Sequence, residues 1–441
     1  MGGPTKVNIA TPYAHDAPAP IPRQPALFTL AVVSMCLPVT LFARAGVELA
    51  PIDVIGPITL ATLLVTGSGV RKSPQGSTFA GLLWLTVIIA FCAMLYRGSA
   101  ATEGGAPRQF AAFAFTLRPI LFLGIGLVLS HRPWATPERI IRTMGTAASF
   151  TCISVAFMLI RTGTPHHQYG EVAYGGATQF GEHLGGSLFG LPLYARYGVN
   201  SLAETYAVYG ILALAALATF SRQRMGTWPL SRLALSAWYA FGTVSAGYLC
   251  LTSLSRQAIL LWIAVVGAVA SVFLIRRLLR ANYGQALGLL TIMAAVGGVF
   301  GLQRLLVAIS ADGGLNSFTA GRVGILDRAV TQVLLHPLTG TGFVDDDAAE
   351  FNSHNLLLNL MLKMGIPAAV CFISLLLNAT LPALRRLRRG NAGASTLIVD
   401  LGWCTLFFVV GLVSNSIDVI TASGVLLLLL GLHRAHVPEQ A

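Results

Sequence analysis

Charged residues are scarce in this sequence: only 10% of its 441 residues are charged, whereas 55% are hydrophobic. A soluble chain of this length could not keep so much apolar side chain away from water. No Walker-type glycine loop occurs, so no nucleotide-binding loop is indicated. The six cysteines stand inside apolar runs and not in CxxC pairs, which favours neither a disulfide framework nor a cysteine-bound metal.

What the sequence has instead is a series of apolar runs, each about 17–20 residues long, the length that a helix needs to cross about 30 Å of hydrocarbon. The alternating strands of a membrane barrel do not recur. The sequence therefore predicts an all-α, polytopic transmembrane bundle of about 12 helices. Asp53 and Pro57 interrupt the second, which makes it the weakest. The predicted helices are 27–43, 51–67, 79–95, 110–130, 143–160, 201–220, 234–252, 258–275, 286–302, 355–381, 396–414 and 418–433.

The formal net charge of +12 could indicate either nucleic acid binding or membrane topology, and the distribution of the basic residues favours topology. By the positive-inside rule, the loops that carry basic clusters are cytoplasmic, and so are both termini. No nucleic acid partner is expected. The clusters are Arg71 and Lys72; Arg132, Arg139 and Arg142; Arg222, Arg224 and Arg232; Arg276, Arg277 and Arg280; and Arg385, Arg386, Arg388 and Arg389.

This topology divides the chain into a membrane domain, residues 27–433, and two cytoplasmic tails, 1–26 and 434–441. The first tail is polar and rich in Ala and Pro, so we expect it to be disordered, and the apolar run after it does not resemble a cleavable signal. Two long segments, 161–200 and 303–353, fall on the outer side of the membrane, and we expect the second to be partly helical. Long loops are usually functional, so the site is expected outside.

Three ionisable residues lie at the outer boundary of the predicted helices. Arg256 stands in a short turn, Arg322 lies in the longest outer loop, and His354 opens the tenth helix. Guanidinium groups match phosphate oxygens, and a neutral imidazole can accept a proton from a hydroxyl. The chemistry these residues suggest is an arginine clamp on a phosphate leaving group, beside a histidine that activates an acceptor hydroxyl.

Each of the three also has a simpler interpretation. A boundary arginine such as Arg256 commonly extends to lipid headgroups. Arg322 is equally well explained as a surface charge, and His354 as a polar residue at a helix end. Spacing alone does not decide between these interpretations.

The sequence around these positions resembles the O-antigen ligase and repeat-unit polymerase superfamily of bacterial envelope enzymes. The family pattern is His, then Asn, Ser or Gln, nine variable residues, Gly, two more residues, and Gly, Thr or Tyr. Here His354-Asn355 precedes Gly365, and the last position departs from the pattern because it is Ala368. Leu251 to Arg256 is similar to the family's Ser-Arg turn. Gly321-Arg322 with His336 to Phe343 is similar to its Gly-Arg and Pro-x-x-Gly-x-Gly loop, and Gly198 to Ala203 is a weaker match.

The resemblance implies glycan transfer at the periplasmic face of the inner membrane, from an undecaprenyl-diphosphate-linked donor to a glycan or lipid A core acceptor. It implies no cofactor, no metal and no nucleotide. Arg256 and Arg322 would bind the diphosphate, and His354 would be the general base or would hold the acceptor hydroxyl for in-line attack at the anomeric carbon. The attack would invert the anomeric configuration, because no carboxylate nucleophile is evident. Asp327 or the run Asp345–Asp347 remains an alternative base.

Further candidates are polar residues within or beside the helices. Asn355, Asn359 and Lys363 recur every four residues and predict one polar stripe that faces the bundle, after which Pro367 would kink the helix. The stripe could contact substrate or form an interhelical hydrogen-bond seam. Arg118 could be a third phosphate contact or the partner of a buried acid or carbonyl. The histidines of the first outer loop fit no established zinc pattern: His166, His167 and His183.

The competing hypothesis from another class is a transporter or flippase of lipid-linked oligosaccharide, which would also have many helices. Transporters often contain internal repeats and place polar residues near the bilayer midplane. No convincing repeat is visible, and the informative residues lie on the outer side, which favours an enzyme. A ligase and a polymerase share the same donor chemistry, so the sequence leaves that choice open.

Overall fold

The computed structural model describes only part of the chain, and several predicted features lie outside that part. These are the tail before residue 25, the tail after residue 435, the predicted helix 286–302, His354, most of both outer segments and the side chains of Arg256 and Arg322. The described residues are 25–37, 42–44, 47–49, 51–65, 85–93, 95–96, 105–162, 187–188, 191–192, 198–220, 230–253, 255–279, 322–342, 355–390, 392–411 and 420–435.

The described residues form a helical bundle, as predicted. Two short antiparallel hairpins accompany the helices: β1 (Phe42–Arg44) with β2 (Val47–Leu49), and β3 (Ser187–Leu188) with β4 (Leu191–Pro192). Residues 85–93 and 95–96 are also helical. The other helices are α1 (Ala26–Met35), α2 (Pro51–Val65), α3 (Gly105–Leu129), α4 (Pro137–Thr162), α5 (Gly198–Ala218), α6 (Leu230–Thr252), α7 (Arg256–Leu279), α8 (Arg322–Leu335), α9 (Leu356–Arg389), α10 (Ala394–Thr405), a π-helix (Leu406–Val410) and α11 (Ile420–Ala435).

Several predicted helices differ from the observed ones in length, and for two of them the sequence at the end of the helix explains the difference. The predicted helix 27–43 ends at Met35, and its last residues form β1 instead. Pro38 explains the early end, because the residue before a proline is driven away from helical backbone angles. The predicted helix 355–381 continues to Arg389, where Gly390 adopts a left-handed conformation (φ 61°) and closes the helix.

Helix α5 lies at the centre of the bundle and packs against α4, α6, α7 and α10. Its tyrosines Tyr206 and Tyr209 are fully buried, and the Tyr209 hydroxyl donates a hydrogen bond of 3.0 Å to the carbonyl of Met35 in α1. Helices α3 and α11 approach each other closely, because a Cβ added at Gly126 or Gly431 would collide with the opposite backbone. Such small-residue contacts are typical of helix pairs in membranes.

Hydrogen bonds group the helix ends that the basic clusters assign to one side of the membrane. Arg132 Nη2, after α3, donates to the carbonyl of Leu63 near the end of α2 at 2.6 Å. Arg142 Nε, near the start of α4, donates to Thr219 Oγ1 at the end of α5 at 2.8 Å. The structure therefore joins four of the predicted cytoplasmic helix ends in two pairs, α2 with α3 and α4 with α5.

Among the described residues, two helical stretches are long and apolar enough to cross a membrane, Pro137–Arg161 and Leu356–Arg389. Shorter apolar stretches of 10–17 residues accompany them, in α1, α2, α3, α5, α7, α10 and α11. Helix length and composition are thus consistent with insertion into a membrane.

Candidate active site at three helix starts

The first candidate residue, Arg256, is the first residue of α7. Ser255 caps this helix: its Oγ accepts a hydrogen bond of 3.5 Å from the amide of Ala258, and its carbonyl accepts one of 3.0 Å from Ile259. Serine is favoured at this position because it satisfies an amide that has no partner inside the helix. The sequence Ser-Arg therefore places an arginine on the first turn, where the helix dipole attracts anions.

The turn before Arg256 is held against the central helix. Ser253 Oγ donates to the carbonyl of Cys250 at 2.7 Å and accepts from the amide of Ser255 at 3.2 Å. Cys250 Sγ in turn donates to the carbonyl of Ala203 in α5 at 3.6 Å. Ser253 and Ser255 are both buried. This turn is thus a fixed part of the bundle and not an exposed loop.

The second candidate, Arg322, is the first residue of α8. Ala329 and Val333 form the buried face of this helix and pack against Leu362 of α9, with Leu358 and Ile366 beside them. Asp327, the alternative base, is exposed on α8. The predicted periplasmic loop is therefore partly helical, as expected, and its helix is attached to α9.

The third candidate, His354, directly precedes the described start of α9. Asn355 caps this helix, because its Oδ1 accepts a hydrogen bond of 3.1 Å from the amide of Leu358. The amide of Leu356 donates to the carbonyl of Gly411 at 2.9 Å, which fixes the helix start to the end of the π-helix. Asn355 thus has an observed structural role at the start of α9.

Helix α9 breaks at Gly365, and the loop after α8 enters the break. In a regular helix the amide of Ile366 would donate to the carbonyl of Leu362. Here the amide of Ile366 donates to the carbonyl of Pro337 at 2.8 Å, and the carbonyl of Leu362 accepts from the amide of Thr341 at 2.6 Å. We call this exchange the loop clasp. It ties α8, which begins at Arg322, to the helix that begins beside His354.

The glycines of the family pattern are explained by this clasp. Gly365 has φ 79° and ψ 169°, a backbone region essentially restricted to glycine, and a Cβ there would collide with the carbonyl of Leu338. Gly340 has φ 67°, and a Cβ there would collide with the carbonyl of Leu362. The predicted kink at Pro367 is thus centred two residues earlier, where the ladder of helical hydrogen bonds is interrupted.

The remaining candidates have different environments. Asn359 is buried, as the predicted inward stripe requires, whereas Lys363 is only partly buried. The guanidinium of Arg118 forms an ion pair with Asp53 of α2, and both side chains are nearly inaccessible. This pairing supports the alternative interpretation of Arg118 as the partner of a buried acid. It also explains how α2 accommodates Asp53.

Sequence reasoning missed two further ionisable positions. Asp400 in α10 is fully buried and receives two hydrogen bonds of 2.8 Å, from Nε and Nη2 of Arg386. Glu204 is buried in α5, next to the carbonyl that accepts from Cys250. The signal was present, because each is an isolated acid inside an apolar run, where an ionisable residue needs a partner or a function.

The family resemblance implies no metal at this site. Within the described part of the chain, no group of three or more His, Cys, Asp or Glu side chains is placed to hold a metal ion. His166, His167 and His183 lie outside that part.

The fold and the three helix starts define a class: a helical protein suited to a membrane, with arginines as the first residues of two helices, α7 and α8, and a histidine just before a third, α9. A comparison with family models found a match over part of the chain. Residues 241–373 match the O-antigen ligase model, from α6 through the Ser-Arg turn and the loop clasp into α9. This region is therefore similar to the O-antigen ligase-like superfamily, whose members are bacterial membrane glycosyltransferase-like enzymes. A search of curated proteins gave no match.

Proposed function

We propose that this protein transfers a glycan from an undecaprenyl-diphosphate-linked donor to a sugar hydroxyl at the periplasmic face of the bacterial inner membrane. One observation carries the proposal. Arg256 and Arg322 are the first residues of α7 and α8, His354 precedes the cap of α9, and all three lie within the region that matches the O-antigen ligase family.

The two arginines are suited to the diphosphate. The first turn of a helix carries a partial positive charge, which attracts phosphate oxygens. An arginine at that turn adds a fixed charge and a planar pair of donors. In the proposed reaction the diphosphate gains charge as its bond to the anomeric carbon breaks, and Arg256 and Arg322 stabilise that charge.

The proposed role of His354 is to take the proton of the acceptor hydroxyl. The hydroxyl oxygen forms a bond with the anomeric carbon, the bond from that carbon to the diphosphate oxygen breaks, and the hydroxyl proton passes to the imidazole. The configuration at the anomeric carbon is inverted, because a single displacement attacks the face opposite the leaving group. Asp327 is the alternative base, since it is exposed on the same helix as Arg322.

The proposed orientation follows from the basic residues. Arg386, Arg388 and Arg389 occupy the last turn of α9, which the positive-inside rule assigns to the cytoplasm. The start of α9 then lies on the periplasmic side, together with the Ser-Arg turn and α8. In this arrangement residues 27–433 form one membrane domain, and both termini are cytoplasmic.

Two acceptors fit the proposal, the lipid A core and a second lipid-linked glycan, because both reactions would bind the same lipid-linked donor. The rival proposal of a flippase shares the donor but forms no glycosidic bond. The family match favours transfer, since the matched family is named for a ligase.

The experiment that tests the proposal uses purified protein in vesicles, a donor with a labelled glycan, and either lipid A core or unlabelled donor as acceptor. Transfer predicts a labelled glycan joined to the acceptor and release of undecaprenyl diphosphate in equal amounts. Movement of the donor across the bilayer without a new glycosidic bond would contradict the proposal and support the flippase.

A further inference from the structure

Helix α8 has more apolar surface than its contact with α9 covers. Ala329 and Val333 are buried, but Leu326, Val330 and Leu334 are 36%, 46% and 70% exposed. At about 100° per residue, these three side chains occupy a strip about 80° wide directly beside the buried face. Leu338, which follows the helix, is also 70% exposed. We call Leu326, Val330, Leu334 and Leu338 the apolar stripe.

The other side of α8 is polar. Asp327, Arg328 and Thr331 are exposed there, and Gln332 is partly buried. Leu335, which is 62% exposed, is the exception on this side. An amphipathic helix that buries only half of its apolar face against its own chain has the composition of a helix that lies in a membrane interface.

The depth of the apolar stripe in the membrane follows from the level of α9 beside which it lies. The hydrocarbon of a bilayer is about 30 Å thick, or about 20 helical residues, so if Arg385 lies at the cytoplasmic edge, the outer edge lies near residue 365. The loop clasp holds Leu338 against Gly365, because a Cβ on that glycine would meet the Leu338 carbonyl. The end of the stripe therefore lies at the outer edge of the hydrocarbon.

The face of α9 that α8 covers is continuous with a face that is exposed further along the helix. Ile366 packs against the cluster that Ala329 and Val333 of α8 form with Leu362. Val370, Leu377, Leu381 and Leu384 lie within about 60° of Ile366 around the helix axis. They are 50%, 38%, 47% and 37% exposed. In a membrane-spanning helix, these apolar side chains face acyl chains. Helix α8 thus lies on the lipid side of α9.

We propose that α8 is an interfacial helix whose apolar stripe lies in the acyl chains of the outer leaflet, with a lipid surface as its partner. This inference rests on the orientation given under the proposed function. For the proposed function, this placement fixes the level of Arg322. The loop clasp and the lipid hold α8 at the membrane surface. Arg322 is thereby kept at the level of the lipid headgroups, where the diphosphate of a lipid-linked donor lies.

The test is quenching of a fluorescent label by brominated lipid, in the full-length protein with the exposed Cys92 replaced by serine. An environment-sensitive fluorophore is attached to Leu334→Cys or Leu338→Cys, and to Thr331→Cys as the matched control on the polar side. The proteins are reconstituted in vesicles of phosphatidylethanolamine and phosphatidylglycerol with increasing amounts of acyl-brominated phosphatidylcholine. The background variant without an added cysteine gives the residual labelling.

We expect the labels at residues 334 and 338 to be quenched several-fold more strongly than the label at residue 331. Equal quenching at all three positions, or none, would overturn the proposal. Restored fluorescence on adding undecaprenyl phosphate would assign the stripe to a prenyl chain, and cross-linking between copies through Leu334→Cys would assign it to a second copy; either result would also overturn it. No donor glycan is used, so an inactive transferase with normal quenching would contradict the proposed function alone.

Discussion

The amide of Ile366 donates its hydrogen bond to the carbonyl of Pro337, 2.8 Å away, and not to Leu362 within its own helix. The carbonyl of Leu362 is satisfied by Thr341 of the same loop. Both halves of one broken helical hydrogen bond therefore find partners in the loop, so neither the Ile366 amide nor the Leu362 carbonyl is left without a hydrogen bond. It also couples the helix that begins at Arg322 to the helix whose cap follows His354.

Gly365→Ala is expected to open this connection. The φ of 79° costs a residue with a Cβ about 1–3 kcal/mol, and the new methyl group would also collide with the Leu338 carbonyl. Thermal unfolding in detergent should show the destabilisation, and transfer activity should fall. Gly267→Ala in α7 is the matched control, because a Cβ there meets nothing within 4 Å. Equal stability of the two variants would contradict the role given to Gly365.

How much of the fold and of the candidate site the sequence could predict depends on whether an interaction is local or joins residues far apart in the chain. The lengths of apolar runs located most helices to within a few residues, and the start of α9 was predicted to within one residue, because these features are local. The loop clasp joins residues about 25 positions apart through backbone groups, which carry no side-chain signal. Sequence alone therefore suggested a kink at Pro367, whereas the break lies at Gly365 and needs the loop to form.

The ion pairs illustrate the same limit. Asp53 and Arg118 both stand out in the sequence as ionisable residues inside apolar runs. Their spacing does not predict that they form a pair, because they lie on different helices whose packing the sequence does not show. In the sequence, the arginines of the last turn of α9 indicate a cytoplasmic loop. One of them, Arg386, has a second role as the partner of Asp400.

The pair formed by Arg386 and Asp400 is expected to stabilise the contact between α9 and α10. Asp400→Ala removes one partner and leaves a nearly buried guanidinium, so the free energy of unfolding should fall by about 3–5 kcal/mol. The double variant Arg386→Leu, Asp400→Leu should recover much of that loss, because it leaves no buried charge. Thermal unfolding of the three proteins measures both effects. A double variant less stable than Asp400→Ala would show that the pair contributes more than mutual neutralisation.

Topology can be tested at exposed positions on the two sides of the proposed membrane. A cysteine at Thr331 in α8 is expected to react with an impermeant thiol reagent added outside intact spheroplasts, whereas one at Arg389 should react only after lysis. Both sites are exposed in the structure, so burial does not explain a difference. The opposite labelling pattern would place α8 in the cytoplasm and remove the basis of the proposed site.

The arginines at the starts of α7 and α8 should not tolerate lysine. Arg256→Lys and Arg322→Lys keep the charge but lose the paired donors, so transfer should fall about 10–100-fold, the equivalent of about 1.5–3 kcal/mol for hydrogen bonds to a charged group. Protein abundance should stay near normal. Arg328→Lys is the control, since Arg328 is exposed on α8 beyond its first turn. Unchanged activity at residue 256 or 322 would leave that arginine as a lipid or surface contact.

The base assignment is tested most directly at His354. The family pattern places it one residue before the cap of α9, and Asn355 and Leu356 are fixed by hydrogen bonds to Leu358 and Gly411. If the imidazole takes the acceptor proton, His354→Ala should slow transfer about 10²–10⁴-fold. Donor binding should persist, because the arginines remain. His131→Ala, an exposed histidine between α3 and α4, controls for the loss of an imidazole as such.

The two measurements at His354 separate the possible roles of this residue. Transfer is measured in reconstituted vesicles with saturating acceptor, and donor binding is measured on the same preparation. Slow transfer with normal binding is the expected result. Loss of both would mean that His354 holds the donor or the helix start. Retention of both would transfer the role of base to another group, and Asp327→Asn would then be expected to abolish activity, because Asp327 is exposed on the helix that begins at Arg322.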